Sequence, residues 1–265
     1  MAGFQDKLYE LQGKSVRTPK KRTPEKKTRE EKFYGFDPER VKTGILGLDE
    51  VLHGGIPWGN LVVIAGGPGS GKTSLGLQFI YEGAKQFNEP GVFISLEEDP
   101  ERLVSNAEKL GWDFKPLIEQ GKVLIVKSSM FNLNNLFRNI KESVKQVRAK
   151  RIVIDPGALL RLFFETEVEV RKAFVELANV LKNMGITSLV TTDFNAEAGK
   201  QFEMEEYAAD GVLLLYYFRN GNIYQRMVAI LKMRGTGHSE KVHPFKISIG
   251  GITIYPEEEV FSEVD

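Results

Sequence analysis

Apolar residues fall into two rhythms along this chain. Runs with little polar interruption (Leu61–Ala65, Gly91–Leu96, Val123–Val126, Arg151–Ile154 and Ile186–Thr191) alternate with longer stretches whose apolar positions recur at helical spacing. Those stretches begin at Ser74 and cover about Glu101–Leu110, Leu133–Ala149 and Val168–Met184. Continuous apolar runs suit strands buried on both faces. Their alternation with helices predicts an α/β fold, a mostly parallel twisted sheet flanked by helices. Ahead of the first run, Thr43–Leu52 reads as a short helix and His53–Gly59 as a turn-rich entry. From Gly211 the rhythm changes: Val212–Phe218, Tyr224–Lys232, Phe245–Ile249 and Ile252–Tyr255 are joined by tight Asn-Gly and Gly-Gly turns. These predict antiparallel C-terminal strands added to the sheet edge. No internal repeat interrupts the series.

Charge adds the outer boundaries. The chain of 265 residues has no net charge, but its first 35 carry ten Lys and Arg against five Asp and Glu. Residues 1–34 therefore read as a basic flexible arm, residues 35–256 as the compact domain and residues 257–265 as an acidic tail. Phe4–Leu11 has the pattern for one or two helical turns at the start of the arm. An apolar fraction of 42% and a charged fraction of 27% are ordinary for a globular chain. No apolar run is long enough to cross a bilayer, which excludes a helical membrane protein. With no cysteine there is no disulfide, no thiol nucleophile and no thiolate metal site, which fits a cytoplasmic protein.

One stretch carries specific chemistry. Gly66-Gly67-Pro68-Gly69-Ser70-Gly71-Lys72-Thr73 fits G-x-x-x-x-G-K-[ST] and lies between a predicted strand and a predicted helix, the context a phosphate-binding loop requires. Its glycines allow positive φ and let backbone N–H groups approach an anion, behind which the helix N-terminus adds partial positive charge. Gly67 to Ser74 are thus the candidate phosphate contacts, with Lys72 reaching the β- and γ-phosphates and the Thr73 hydroxyl holding Mg²⁺.

Two carboxylate positions extend the site. Arg151-Ile152-Val153-Ile154-Asp155 is an apolar strand ending in Asp, the form of a Walker B element, so Asp155 is a second candidate for organising the metal. Glu97 and Glu98 close another strand, and ligands of parallel sheets bind beyond the carboxyl ends of strands. Either can act as the base that orients water for in-line attack, and Glu98 also as a metal ligand. Two adjacent acids further suggest a coupled pair.

Taken together, Thr43-Gly44-Ile45-x-Gly47-Leu48-Asp49, Gly54-Gly55-Ile56-Pro57-x-Gly59, the phosphate loop, the Glu pair, the Walker B strand and Thr191-Thr192 resemble KaiC-like ATPases of the RecA superfamily. The segment Lys232-Met233-Arg234-Gly235-Thr236-Gly237-His238 completes the resemblance, which covers about residues 36–256 as a single copy. It implies a RecA-like P-loop NTPase core that binds ATP with Mg²⁺ between subunits of a homo-oligomeric ring, commonly a hexamer, releasing ADP. In that family the Glu pair activates water and the Lys-x-Arg segment reaches the neighbour's ATP. The resemblance therefore assigns Lys232, Met233, Arg234, Thr236 and His238 to an adjacent nucleotide. Two cations two residues apart on a strand also share a face, which suits joint attention to phosphates.

Three departures stand out. Met204–Asp210 holds no Ser or Thr where the clock proteins of this family accept a phosphate, which argues against autophosphorylation there. Pro156 follows Asp155 where Ser is frequent, and Asp193 follows Thr191-Thr192 where Glu is usual. A recombinase- or helicase-like motor is the alternative reading. Its nucleic-acid loops would be Pro156–Glu167 and Phe194–Tyr207, but the second is net acidic and lacks the series of cations that a phosphate backbone needs. A regulatory protein partner fits the ring reading. A sensor without turnover ranks last, because both Glu97 and Glu98 are present.

Overall fold

The computed structural model describes residues 39–128, 133–193 and 208–258. The basic arm, the predicted Phe4–Leu11 helix, the Phe194–Tyr207 loop and the acidic tail from residue 259 lie outside the described residues.

A nine-stranded sheet organises the domain. In chain order its strands are β3 (Leu61–Gly66), β4 (Gly91–Ser95), β5 (Val123–Lys127), β6 (Arg151–Asp155), β7 (Thr187–Thr192), β8 (Gly211–Asn220), β9 (Ile223–Met233), β10 (Val242–Ser248) and β11 (Gly251–Ile254). Across the sheet they run β11-β10-β9-β8-β3-β7-β6-β4-β5. From β8 to β5 all pairs are parallel, and from β8 to β11 all are antiparallel. Helices α2 (Lys72–Gln86), α3 (Pro100–Lys109), α4 (Lys115–Glu119), α5 (Leu133–Val147) and α6 (Glu167–Asn183) lie between the strands.

Strand β3 explains the layering. All six of its residues are buried, and successive side chains point to opposite faces. Val62 and Ile64 join Phe79 and Ile80 of α2 in one core. Leu61, Val63 and Ala65 join Ile140 of α5 and Phe174 and Leu177 of α6 in the other. Each such aliphatic side chain contributes about 1.5–3 kcal/mol when fully buried, so the sheet is held from both sides. The register places the ends of β3, β7, β6 and β4 side by side: Ala65 pairs with Thr192, Ile154 with Val190, and Ser95 with Asp155.

The expected mostly parallel sheet flanked by helices is present, and its details differ in four places. Val212–Phe218 was expected as the first antiparallel addition. It is instead the last parallel strand on β3, and the turn to antiparallel pairing comes at β9. The helix expected over Thr43–Leu52 shrinks to α1 (Leu48–Val51). Gly44 and Gly47 lie at φ 73° and 80°, and the Asp49 carboxylate accepts from the Thr43 N–H at 2.8 Å, which turns the segment out of helical geometry. A two-residue ladder, β1 (Arg40–Val41) with β2 (Ile56–Pro57), and the short α4 are below the length at which periodicity is readable. A 3-10 helix over Gly157–Phe163 occupies the start of the loop after β6. Among the described residues no helix is long and apolar enough to cross a membrane.

Candidate functional site

The aligned strand ends gather the chemistry. The phosphate loop runs from Gly66, the last residue of β3, to α2, and it turns through Gly69 at φ 75° and Gly71 at φ 106°. Gly71 is the N-cap of α2 and supplies no side-chain acceptor, so the first-turn N–H groups of this 15-residue helix have no side-chain cap. Lys72 folds back under the loop, donating from Nζ to the Gly66 carbonyl at 2.6 Å and the Gly67 carbonyl at 3.2 Å. Its third neighbour is the Asp193 carboxylate at 3.1 Å, an ion pair unreadable in sequence because it joins residues 121 apart. Ser70 faces inward: its hydroxyl is fully buried, has no hydrogen-bond partner among the described residues, and would lie 2.6 Å from a Cβ placed on Gly66.

Thr73 and Asp155, read separately from two motifs as candidates for the metal, are in hydrogen-bond contact. Thr73 Oγ1 donates to Asp155 Oδ2 at 2.8 Å, and the Thr191 hydroxyl donates to Oδ1. Burial pushes the Asp155 carboxyl above the ordinary Asp range, the two threonine hydroxyls and Lys72 pull it back, and Glu97 pushes it further up. A buried carboxylate beside a hydroxyl on a helix N-terminus is a hard-oxygen donor set that suits Mg²⁺. Glu97 is exposed and Glu98 half-exposed. The turn that presents them is pinned by Ser95, whose hydroxyl donates to the Glu98 carbonyl at 2.6 Å. Asp99, whose pKa is held down chiefly by its hydrogen bond to Lys127, anchors the start of α3 at 2.9 Å from that lysine.

Beside the loop lies an open cleft of about 560 Å³. Gly67, Gly69, Gly71, Lys72, Thr73 and Ser74 form its floor. Its other walls come from Asn106, Lys109 and Leu110 at the end of α3, and from Arg226 and Ile247 on β9 and β10. Sequence reasoning missed these wall residues. They carry no motif, and only the packing of α3 on one side and of β9 and β10 on the other brings them to the loop.

The segment Lys232–His238 is elsewhere. Met233 pairs with Gly211, which pairs with Val62 at the start of β3, whereas the loop leaves β3 at Gly66. Four residues of strand, roughly 13 Å, separate the two levels, so one chain does not bring the segment and the phosphate loop together. A bulge between Val212 and Leu213 shifts the pairing of β9 there. The segment is held where it is. The Arg234 N–H donates to the Asp210 carbonyl at 2.8 Å, and its guanidinium lies 3.5 Å from the Asp210 carboxylate. The Arg40 guanidinium donates to Thr236 Oγ1 at 2.6 Å, and His238 Nδ1 lies 2.9 Å from the Ser239 carbonyl. Met233 is 4% exposed, so its thioether belongs to the core.

Comparison with known proteins places this arrangement. The family profile described as "ATPase: KaiC" matches residues 41–259. A UPF0273 protein of Thermotoga maritima is 37% identical, the match covering 83% of this chain and 97% of that one. The circadian clock oscillator protein KaiC of a Picosynechococcus species is 35% identical over 82% of this chain, but this chain spans only 45% of its length. Among solved structures, a KaiC-like protein from the hyperthermophilic archaeon Pyrococcus horikoshii aligns with a TM-score of 0.75 and 41% identity, over 83% of this chain and all of that one.

Proposed function

The chain belongs to the KaiC ATPase family, and on that premise we propose that it hydrolyses ATP at the subunit interfaces of a homo-oligomeric ring. The single observation that carries this reading is the separation just described. The phosphate loop, Thr73 and Asp155 lie at the carboxyl ends of the parallel strands and Lys232–His238 at the level where β3 begins, so a head-to-tail neighbour would bring the second group to the first.

In this reading the backbone N–H groups of Gly67–Ser74 and the Lys72 ammonium bind the phosphates. Lys72 exchanges its loop carbonyls and Asp193 for phosphate oxygens as the nucleotide enters. Thr73 and Asp155 would hold Mg²⁺, with Glu98 as the further candidate ligand, and the ion's charge would offset that of the phosphates. Glu97 and Glu98 orient the attacking water, and Ser95 fixes the turn that presents them. Lys232, Arg234, Thr236 and the Met233 backbone meet the neighbour's nucleotide, with His238 at the far end of the segment. Arg234 supplies the planar cation suited to charge developing in phosphoryl transfer. The energy released changes the ring's shape or its hold on a regulatory protein.

The test is ATP turnover with Mg²⁺ for the wild type, the double variant Glu97→Gln/Glu98→Gln, and Arg234→Ala, with each sample sized with and without ATP. Turnover abolished by the Glu changes, and lowered by about 10³-fold in Arg234→Ala while the oligomer persists, is the expected result. A wild type that binds ATP yet stays monomeric and turns nothing over would sink the ring-ATPase reading.

A further inference from the structure

The two longest strands, β8 and β9, run on past the end of β3. β8 and β9 pair as far as Asn220 with Ile223, five residue pairs beyond the level at which β3 ends at Gly66. This part of the hairpin runs beyond the end of β3, with Arg226 still paired to Phe245 of β10, and it stands beside the phosphate loop and touches its apex. Arg226 donates from both Nε and Nη2 to the Gly69 carbonyl, at 3.1 and 3.0 Å. The same guanidinium lies 4.3 Å from the ring centroid of Tyr217, its cross-strand partner. Tyr217 in turn packs on Tyr224 with centroids 5.0 Å apart. Gly69 completes the fit: a Cβ there would come within 3.3 Å of the Tyr217 ring, and its backbone is at φ 75°.

From this geometry we infer that Arg226 is a positioning residue, a strap that fixes the apex of the phosphate loop, and that Tyr217 is the rail keeping the strap in place. The Gly69 carbonyl, once held outward by two N–H donors, cannot turn into the loop's concave side, where it would repel an anion. The loop is therefore shaped before any ligand arrives, and preorganisation of this kind raises affinity by lowering the ordering cost of binding. The stacked tyrosine restricts the guanidinium to the plane in which both donors reach one oxygen. The consequence for affinity rests on the nucleotide-binding reading above; the strap itself does not.

The experiment separates the two. Hydrogen exchange of the peptide spanning Gly66–Thr73 is measured on nucleotide-free full-length protein for wild type, Arg226→Lys, Tyr217→Leu and the double variant, and ADP binding is titrated on the same samples. Lys keeps the charge at the cleft wall but not the paired donors, and Tyr217 does not line the cleft. The expected result is exchange about tenfold faster in each single variant, the scale of one charge-assisted hydrogen bond. The double variant should be little worse than either, since both changes cut one connection. ADP affinity should fall in parallel. Wild-type exchange in either single variant overturns the strap, and so does weakened ADP binding with unchanged exchange, which would make Arg226 a ligand cation. Faster exchange in a protein whose wild type binds no ADP upholds the strap and refutes the nucleotide reading instead.

Discussion

Replacing Arg151 by Met should unfold this domain far more readily than any surface change, because Arg151 is fully buried at the start of the strand that ends in Asp155. Its Nη1 donates to the Phe79 carbonyl of α2 at 3.0 Å and its Nη2 to the Lys42 carbonyl at 2.7 Å. Nε donates to the Glu89 carboxylate at 2.7 Å. The guanidinium lies 4.6 Å from the Phe79 ring centroid, and Gly83 leaves the space it fills, since a Cβ there would meet it at 2.5 Å. Burial pulls the guanidinium's pKa down and Glu89 pulls it back. Met restores most of the packing but no donor. The buried Phe79 carbonyl then loses its second donor and the part-buried Lys42 carbonyl its side-chain donor, and removing one partner of a buried ion pair costs about 3–5 kcal/mol in all. Glu89→Gln keeps an amide oxygen that can accept from Nε but leaves the buried guanidinium without its counter-charge, so it should cost about 1–3 kcal/mol, less than Arg151→Met, which also removes the donors to both carbonyls. Equilibrium urea unfolding at fixed protein concentration reads both. A loss under about 1 kcal/mol for Arg151→Met would refute the reasoning. Equal losses for the two variants would show that the ion pair, not the capping of carbonyls, is what matters.

Three further outcomes are expected. Gly71→Ala places a Cβ 2.8 Å from Ile247 Cδ1 at a backbone φ of 106°. It should cost about 1–3 kcal/mol and weaken ADP binding, and adding Ile247→Ala should recover only the steric part, because the strained φ remains; thermal melts and titration check this. Asp155→Asn should lower turnover about 10–100-fold, the scale on which loss of a group supporting a metal site acts. In nucleotide- and metal-free buffer it should melt no earlier than wild type, since burial already disfavours the Asp155 charge; an earlier melt would contradict that. His243 is buried, its Nε2 lies 2.7 Å from Ser239 Oγ, and desolvation first, then Lys241, lowers its pKa below 6.5 against the opposing pull of Pro256, Glu257 and Glu50. The unfolded chain therefore binds a proton there that the folded chain refuses, so stability should fall as pH drops below 6.5 towards the folded-state pKa. His243→Gln should flatten that slope in urea titrations, and an unchanged slope would remove His243 as its source.

The amino-acid sequence by itself determined the alternation of strands and helices, because a strand buried on both faces must be apolar throughout and a flanking helix must be apolar along one stripe. It also determined the phosphate loop, since Gly69 and Gly71 stand where positive φ is needed and Lys72 and Thr73 open the helix. Asp155 was readable for the same reason: a local pattern, an apolar strand closed by an acid. Short elements were not readable, because α1, α4 and the β1–β2 ladder hold too few residues to display a period. Tertiary structure alone decided which distant residues meet. Asp193 pairs with Lys72, Thr191 with Asp155, and Arg226 with Gly69 because parallel register and an overlong hairpin bring those strand ends to one place. It also decided that Lys232–His238 lies at the opposite end of the strands from the phosphate loop, for β9 runs antiparallel to β8, the parallel neighbour of the β3 strand that leads into the loop. Strand direction is a property of the whole sheet, and no local run of residues encodes it.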